Sequence, residues 1–361
     1  MSSSECELHL LHSKMFQPFL SFAVLYRFLL PDRRAMRKTS SLWAALCLVL
    51  LSCQTKVDLD TVIMEGEDTA ICWMTGLADD TPVTSLSIPG AHDAAASTIT
   101  AFKRWTRTQE LNVAELWNCG VRAFDLRPAW VDGEMGLYHD KYSAHVSFPA
   151  VMRSLVLALE RHPGEGAIVL IRHEEEADGN SPEWAAEMGK CLQEFRPHLA
   201  SWHPGMTLAD LRRKILVLSR NRYDGGPMGA YIEGWTSGTD AGAQRGATLV
   251  DASGSRSPVW VQDYYKPAGA DDKWTEIRDL LDAASTAADP SPLVVNHVSG
   301  YIGKLPDYRA NAQNVNGKAA EYIRSMNGPV GIVMMDFAGV SMSAGKKVSG
   351  KELVEALIGN Q

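Results

Sequence analysis

The chain of 361 residues lacks the features that mark several large classes of protein. Its net charge is −8, and it has no cluster of Lys and Arg and no alternation of basic and aromatic residues, which argues against a nucleic-acid partner. It has no internal repeat and no Gly-rich phosphate fingerprint at the start of a helix. No His-x-His pair, Asp-rich run or Glu/Asp cluster offers an obvious set of metal ligands. We therefore expect neither a metal nor a cofactor.

Cysteine is also scarce, with six residues in the whole chain. Cys72, Cys119 and Cys191 follow the N-terminal region, and their spacing matches no zinc motif. Three thiols cannot all pair with one another, so we expect at most one disulfide and one free thiol among them.

The N-terminal region contains an apolar run at residues 42–51 that is too short to cross a bilayer as a permanent helix. A basic stretch precedes this run and Leu-Leu-Ser-Cys at 50–53 overlaps its end, which is typical of an export signal. The tetrapeptide resembles the lipobox of bacterial lipoproteins, although an ordinary secretory signal or a buried helix would share its composition. We expect residues 36–52 to be a lipoprotein signal peptide and Cys53 to carry the lipid. Residues 1–35 are then a non-globular extension ahead of the true start.

The remaining chain is predicted to consist of a tether and one catalytic domain. Residues 53–80 begin as a polar, acidic stretch, and residues 81–361 are long enough for one large α/β domain. Short apolar runs alternate there with segments of helical period, as in parallel strands buried on both faces. We predict eight strands, at residues 86–88, 121–126, 136–139, 167–172, 215–219, 259–262, 293–297 and 330–336. Helices are predicted at 148–161, 184–195 and 274–284.

This alternation favours a distorted TIM (β/α)8 barrel of parallel strands over a doubly wound sheet. The segment 238–254 is rich in Gly, Ala, Ser and Thr, and we expect a loop to replace a helix there. In such a barrel the functional residues lie at the carboxyl ends of the strands.

The first predicted strand breaks at Pro89-Gly90 and places His92 and Asp93 directly after the break. A His beside an Asp supplies an acid or base near neutral pH. The structural alternative is that Asp93 caps the following segment while His92 lies on the surface.

Ionisable side chains also stand at the ends of the other predicted strands. They are Asp125, Arg127, His139, Arg172, Arg220, Asp263, Tyr265, His297 and Asp336. Any one of them is adequately explained by a salt bridge or a cap, but together they converge on one pocket. Two His with carboxylate partners and an inward Arg suit cleavage of a phosphodiester, because the guanidinium neutralises charge on the phosphoryl oxygens. An ion pair between Arg127 and Asp125 is compatible with that role.

Four motifs in matching order carry a resemblance to a known family. They are SIPGAHD at 87–93, GVRAFDLR at 120–127, LYH at 137–139 and VMMDF at 333–337. Together they resemble the catalytic X-domain of bacterial phosphatidylinositol-specific phospholipase C, over about residues 86–337. Gly-Ala-His-Asp stands where the family more often has Gly-Thr-His-Asp.

The resemblance implies a barrel that cleaves phosphatidylinositol to diacylglycerol and inositol 1,2-cyclic phosphate, which the same enzyme can then open. It implies that His92, oriented by Asp336, is the general base for the inositol 2-hydroxyl. His139, supported by Asp93, is then the general acid for the leaving diacylglycerol. Arg127 stands where the metal-independent bacterial enzymes keep an Arg, which implies that no metal is needed.

The resemblance further implies that residues at the later strand ends bind the inositol headgroup. The predicted substrate-binding residues are Asp125, Arg172, Arg220, Asp263 and Tyr265. A solvated charged loop is an alternative explanation for Arg172. His297 and Tyr301 are further candidates for the border of the pocket, and core packing explains both equally well. Scattered tryptophans, namely Trp130, Trp202, Trp235, Trp260 and Trp274, are more often core than a lipid-facing rim.

The expected partner is phosphatidylinositol or glycosyl-phosphatidylinositol in a membrane, bound by a monomer that is anchored at the cell envelope or, alternatively, secreted. A glycerophosphodiesterase-like or sphingomyelinase-D-like barrel is a second candidate, but it needs a metal where Arg127 stands. A third is a surface lipoprotein that binds inositol phosphates or glycans without turnover. The complete set of two His and two Asp partners weighs against that third reading.

Overall fold

The computed structural model describes residues 71–238, 244–288 and 292–361. The predicted leader and Cys53 lie outside these residues. The strands are β1 (Ser87–Ala91), β2 (Ala123–Leu126), β3 (Pro128–Val131), β4 (Glu134–His139), β5 (Tyr142–Ser147), β6 (Ala167–Ile171), β7 (Leu199–Ala200), β8 (Ile215–Ser219), β9 (Ala230–Glu233), β10 (Gln244–Asp251), β11 (Arg256–Gln262), β12 (Leu293–His297), β13 (Gly331–Met335), β14 (Met342–Ser343) and β15 (Lys346–Lys347). The α-helices are α1 (Lys103–Thr106), α2 (Val113–Asn118), α3 (Phe148–Arg161), α4 (Glu175–Asp178), α5 (Trp184–Glu194), α6 (Leu208–Leu211), α7 (Ala270–Ser285), α8 (Tyr308–Arg324) and α9 (Gly350–Ile358).

Nine of these strands close into a barrel. The order around the barrel is β6, β2, β1, β13, β12, β11, β10, β9 and β8, and the pairing of β8 with β6 completes the ring. Neighbouring strands run parallel except at β10, which is antiparallel to both β9 and β11. The predicted TIM-like barrel of mostly parallel strands is therefore confirmed.

Two details of the predicted strand set are wrong. Residues 136–139 lie in β4, which belongs to a separate antiparallel sheet with β3 and β5. Burial alternates along β4, as expected of a strand with one face toward solvent. The second error is the predicted loop at 238–254, because β10 lies there and pairs with β9, a strand that the prediction lacked. Antiparallel neighbours need no crossover helix, and the described chain between β8 and β11 has none.

The remaining strands show why their sequences are continuously apolar. Within β6, Ile168 and Leu170 pack in a cluster contributed largely by the barrel strands, whereas Val169 and Ile171 pack in a cluster that includes helices α2, α3 and α9. Alternate side chains thus point to opposite faces, and both faces are covered. The predicted helix at 148–161 is confirmed as α3, while α5 ends one residue earlier and α7 begins four residues earlier than predicted.

The described end of the segment predicted as a tether packs on the barrel. Trp73 is buried, and its Nε1 donates a hydrogen bond to the Gly120 carbonyl at 2.9 Å. Thr75 binds Glu165, which also forms a fully buried ion pair of 3.0 Å with Arg122. The Arg122 guanidinium lies over a Trp117 ring at 3.7 Å, so this charge is paired and stacked within the core.

Two further sequence-level questions are answered within the described residues. Cys72, Cys119 and Cys191 form no disulfide. No described helix has both the length and the apolar character needed to span a bilayer.

Candidate active site

The residues predicted to be catalytic meet at one end of the barrel. β1 ends at Ala91, and His92 and Asp93 follow directly, with Asp93 in the left-handed region at φ 47°. Gly90 allows β1 to lie close to the neighbouring strand β13, because a Cβ at this position would lie 2.3 Å from the sulfur of Met334 on β13. A side chain at position 90 would therefore have to displace the Met334 side chain from its place against β1.

His92 is held by Asp336, as predicted. Its Nδ1 lies 2.8 Å from Asp336 Oδ1, and Asp336 Oδ2 accepts a hydrogen bond of 3.1 Å from the Gly300 amide. On the other side of the ring, Arg127 Nη2 lies 2.7 Å from His92 Nε2. That contact is a hydrogen bond only if Nε2 is unprotonated, so the proton of neutral His92 sits on Nδ1. This is the tautomer that a general base requires at Nε2.

The pKa of His92 is raised above its usual value by opposing effects. Burial is the largest single effect and lowers the pKa. The charge of Asp336 and its hydrogen bond together raise the pKa by more than burial lowers it, and the charge of Arg127 cancels only part of that rise. Because both side chains are buried, bulk water screens this pair little. Asp336 therefore sets the basicity of His92 as well as its orientation.

Gln109 fixes the ends of β1 and β13 beside this pair. Its Nε2 donates to the carbonyl oxygens of His92 at 2.7 Å and Met335 at 2.9 Å, and its Oε1 accepts from the Ala338 amide. Nothing in the sequence distinguished this Gln from a surface residue, because its role depends on contacts across the barrel.

Arg127 connects His92 to Asp93, the carboxylate that also contacts His139. Its Nε lies 2.9 Å from Asp93 Oδ1, and its Nη2 lies 3.2 Å from Asp125 Oδ2. Its third contact is Glu174, with Nη1 and Oε2 separated by 3.7 Å. The predicted pair of Arg127 and Asp125 is confirmed, and it places Asp125 beside the catalytic group.

The carboxylates around Arg127 differ in their affinity for protons. The pKa of Asp125 is lowered because the charge of Arg127, followed by His92 and His297, outweighs burial, which is the largest single effect and acts in the opposite direction. Burial instead dominates at Glu174 and raises its pKa to about 7, with Arg127 opposing and Asp93 reinforcing that rise. The pKa of Arg127 itself is raised, because Asp93, Asp125 and Glu174 together outweigh its burial.

His139 lies on the other side of Asp93. Its Nδ1 binds the Thr106 carbonyl oxygen at 2.8 Å and lies 3.2 Å from Asp93 Oδ2. A carbonyl oxygen only accepts, so Nδ1 carries a proton and Nε2 is the nitrogen left to act on a substrate. Tyr308 places its hydroxyl 3.1 Å from that Nε2. The predicted proximity to Asp93 is present, but the directed hydrogen bond goes to Thr106.

Tyr308 was not predicted. It is the first residue of α8, and its ring centre lies 5.5 Å from that of His139 and 6.3 Å from that of His92. Burial raises the pKa of its hydroxyl well above the usual value, and Asp93 and Asp336 add to the rise. Its hydroxyl therefore stays protonated between the two histidines.

Three of the predicted substrate-binding residues, Arg220, Asp263 and Tyr265, form a second layer. Asp263 accepts a hydrogen bond of 2.9 Å from Trp235 Nε1 and lies 3.8 Å from Arg220 Nη1. Arg220 stacks over Trp235 at 4.6 Å. Tyr265 is exposed and lies beside Tyr301, with ring centres 6.1 Å apart. The structure thus brings Arg220, Asp263 and Tyr265 near the histidines through intervening side chains.

His297 links this layer to the catalytic group. It meets His92 edge-on at 5.9 Å and Trp235 at 5.6 Å, and its Nδ1 lies 3.9 Å from Asp263 Oδ1. Burial lowers its pKa to about 4 despite the charge of Asp263, so His297 stays neutral. Both earlier explanations of His297 hold, because it is buried and it borders the site.

The chain is similar in sequence to known proteins. A 1-phosphatidylinositol phosphodiesterase of Listeria monocytogenes is 25% identical over 276 residues, which span 73% of this chain and 80% of that protein. One from Staphylococcus aureus strain Newman is 24% identical over 282 residues, 74% of this chain and 88% of the relative. The chain resembles these bacterial phospholipases. No protein-family model matches it.

Solved structures agree on the fold. A structure of the S. aureus phosphatidylinositol-specific phospholipase C, from work on its membrane binding, matches with a TM-score of 0.67 at 20% identity, covering 83% of this chain and 99% of that one. The Listeria monocytogenes enzyme matches with a TM-score of 0.61 at 21% identity, covering 81% and 98%. The resemblance predicted from the four motifs is therefore confirmed in both sequence and fold.

Proposed function

We propose that the protein is a metal-independent phospholipase C that cleaves phosphatidylinositol. The observation that carries this proposal is the continuous chain of contacts from Asp336 through His92, Arg127 and Asp93 to His139. It holds a base, a cation and an acid in fixed relation, which is what an in-line displacement at phosphorus requires.

The first step forms a cyclic phosphate. His92 Nε2 takes the proton of the inositol 2-hydroxyl as that oxygen attacks phosphorus, and its Nδ1 proton remains with Asp336. Protonated His139 gives its Nε2 proton to the diacylglycerol oxygen as the P–O bond breaks. Before His92 takes its proton, Arg127 turns its Nη2 from His92 Nε2 toward a phosphoryl oxygen, where it stabilises the negative charge that develops during the attack. Water can open the cyclic phosphate with the two histidines in exchanged roles.

The absence of a metal requirement remains a prediction, and the position of Arg127 supports it. The guanidinium is bound by Asp93 and Asp125 and lies next to Nε2 of the base His92. Within residues 71–238, 244–288 and 292–361, no group of three or more His, Cys, Asp or Glu side chains is arranged to hold a metal ion. A fixed guanidinium supplies the electrostatic role that a cation plays in other enzymes.

A lipid-facing rim supports action on membranes. Phe102 is 59% exposed and Leu305 is 63% exposed, and both lie on connections that follow barrel strands at the catalytic end. Phe102 stacks with Trp105 at 5.9 Å, and the basic residues Lys103 and Arg104 lie beside it. Apolar side chains next to positive charge suit a bilayer containing anionic phosphatidylinositol. The rim differs from the tryptophans considered in the sequence, because Trp202 is buried and Trp130, Trp235, Trp260 and Trp274 are half-buried.

The direct test is hydrolysis of phosphatidylinositol vesicles in EDTA. We expect activity in the wild type and its loss in His92→Ala and His139→Ala, because each variant removes one proton-transfer group. Glycosyl-phosphatidylinositol is assayed in parallel to define the headgroup. An inactive wild type, or activity restored only by calcium, would contradict the proposal and favour a metal-dependent barrel.

Export and lipid anchoring through Cys53 are proposed from the sequence alone, as is the division into tether and catalytic domain. N-terminal sequencing and intact mass of the exported protein test them. A mature chain that begins at lipid-modified Cys53 is expected, and one that begins before Met36 would refute the assignment. Size-exclusion chromatography of the mature protein tests the expected monomer.

A further inference from the structure

Glu174 is a buried carboxylate beside the proposed catalytic group, and the proposed reaction gives it no task. It follows strand β6 closely and is 2% exposed. Its amide donates a hydrogen bond of 3.1 Å to the Pro128 carbonyl oxygen, which fixes its backbone against β3. Its side chain reaches Arg127, with Oε2 at 3.7 Å from Nη1. A titratable group therefore lies against the guanidinium that meets the phosphodiester.

The contact with Arg127 leaves Glu174 incompletely bound. A separation of 3.7 Å is too long for a hydrogen bond, and Oε2 has no hydrogen-bond partner among the residues that the structure describes. The other two carboxylates of this guanidinium lie closer, with Asp93 Oδ1 at 2.9 Å and Asp125 Oδ2 at 3.2 Å. A buried carboxylate without a donor is unfavourable in its charged form. Of the three, Glu174 is therefore the one that the guanidinium stabilises least.

Charged groups on several elements act on Glu174. They are Arg127 after β2, Asp93 after β1, Arg172 after β6 and Asp140 in the turn between β4 and β5. Burial is the largest effect on Glu174, and together with the two Asp it raises the pKa to about 7 despite the two Arg. Glu174 therefore changes charge near neutral pH.

The substrate brings a further negative charge to the same guanidinium. With Asp93, Asp125 and Glu174 all ionised, an arriving phosphodiester would share Arg127 with three carboxylates. Water screens these buried charges little. Asp125 keeps its charge, because its pKa is lowered by Arg127 against the effect of burial. Glu174 can lose its charge by taking up a proton, and the neutral carboxyl is then a hydrogen-bond donor instead of a repelling anion.

We propose that binding of the anionic phosphodiester at Arg127 is coupled to uptake of a proton from solvent by Glu174. This inference rests on the proposed phospholipase function and makes Glu174 a positioning residue, since it acts through Arg127 and exchanges no proton with the reacting atoms. Affinity for the phosphodiester is then highest below the pKa of free Glu174, where the carboxyl is already neutral. It falls as the pH rises above that value, by up to about tenfold per pH unit.

The test measures binding without turnover by the full chain. The probe is a soluble inositol 1-alkylphosphonate, because its single negative charge does not titrate near neutral pH and its P–C bond does not break. Calorimetry is performed about one pH unit below and above the pKa of Glu174, in buffers of different ionisation enthalpy, and gives the affinity and the proton uptake. Glu174→Gln keeps the size of the side chain and removes its charge. Glu176→Gln is the matched control, because Glu176 lies in the adjoining helix α4 but is exposed.

At the higher pH we expect the wild type to bind the probe about tenfold more weakly than Glu174→Gln and to take up more protons on binding. At the lower pH the two proteins should bind alike, and Glu176→Gln should match the wild type throughout. His92 also titrates, but it is present in every variant, so the difference between variants reports on Glu174. Infrared difference spectra should show the band of a protonated carboxyl when the probe is added to the wild type, and Glu174→Gln should lack it.

Equal proton uptake by the wild type and Glu174→Gln would overturn the proposal, as would the same change in Glu176→Gln. The absence of a carboxyl band in the wild type would overturn it as well, and that measurement needs no variant. A protein that binds the phosphonate with proton uptake at Glu174 but cleaves no phosphatidylinositol would support the coupling and refute the phospholipase proposal. A protein that cleaves phosphatidylinositol but shows no such uptake would do the reverse.

Discussion

Replacement of Asp336 by Asn is the sharpest test of how the proposed base is controlled. The substitution keeps the size of the side chain but removes its charge. Asp336 accepts from His92 Nδ1 and, through its other oxygen, from the Gly300 amide. An Asn offers only one oxygen, so either the imidazole or the Gly300 amide loses its acceptor and faces an NH₂ group.

The expected effect has a direction and a size. Burial and Arg127 lower the pKa of His92, whereas the charge of Asp336 and its hydrogen bond are the two largest effects that raise it, with a smaller contribution from Asp93. Without the carboxylate the pKa of His92 falls, so the acidic limb of the activity profile moves to lower pH, because His92 must be unprotonated to act as base. A hydrogen bond to a charged group contributes about 1.5–3 kcal/mol, which corresponds to a roughly 10- to 100-fold lower kcat.

The measurement is kcat/KM against pH with a soluble inositol phosphodiester, which avoids effects of membrane binding. Asp178→Asn is the matched control, because Asp178 pairs with His173 at the same 2.8 Å but lies outside the proposed catalytic group. We expect that variant to keep the wild-type acidic limb. An unchanged or higher limb in Asp336→Asn, or the same shift in both variants, would refute this account of His92.

Three further perturbations separate charge, acid and membrane effects. Arg127→Lys should lower kcat by about 100-fold, because one ammonium cannot replace contacts to Asp93, Asp125 and His92 together; a smaller change would assign Arg127 a structural role. Tyr308→Phe should lower kcat by about tenfold with the natural alcohol leaving group but leave a nitrophenyl substrate unaffected, because only the former needs the acid His139; equal losses on both substrates would contradict this. Phe102→Ser should weaken vesicle binding by about tenfold with unchanged hydrolysis of the soluble substrate; a loss on both would place Phe102 in the fold instead.

Most of the proposed catalytic group was predictable, because His92, Asp93, Arg127 and Asp336 follow apolar runs that form parallel strands. His92 and Asp336 follow β1 and β13, and those two strands pair directly. Their contact therefore follows from order along the chain and the rule that strand ends carry the site. The pairing of Asp125 with Arg127 was equally predictable from the sequence, because Asp125 lies in β2 and Arg127 follows that strand directly.

The positions of β4, β10 and Tyr308 depend on contacts between parts of the chain that are distant in sequence, and no local sequence pattern shows such contacts. β4 reads as a short apolar run, and only its one-sided burial in the folded protein separates it from a barrel strand. β10 is rich in small and polar residues, and its position is fixed by pairing with β9 and β11. Tyr308 begins a helix and resembles a packing residue, so its approach to His139 emerges only when α8 is placed against β4.

The reversal of β10 has a consequence for how this enzyme can change. Because β9 and β10 run in opposite directions, the chain that leaves β9 reverses direction at the end of the barrel where the histidines lie. Gly234 and Trp235 in this turn line a cavity beside the histidines, and Ser237 contacts Arg220. A parallel barrel would place a crossover there and return the chain to the opposite end. We therefore expect substitutions in residues 234–238 to change the lining of this cavity while the proposed proton-transfer group stays intact, which makes this turn the natural segment for a directed-evolution library.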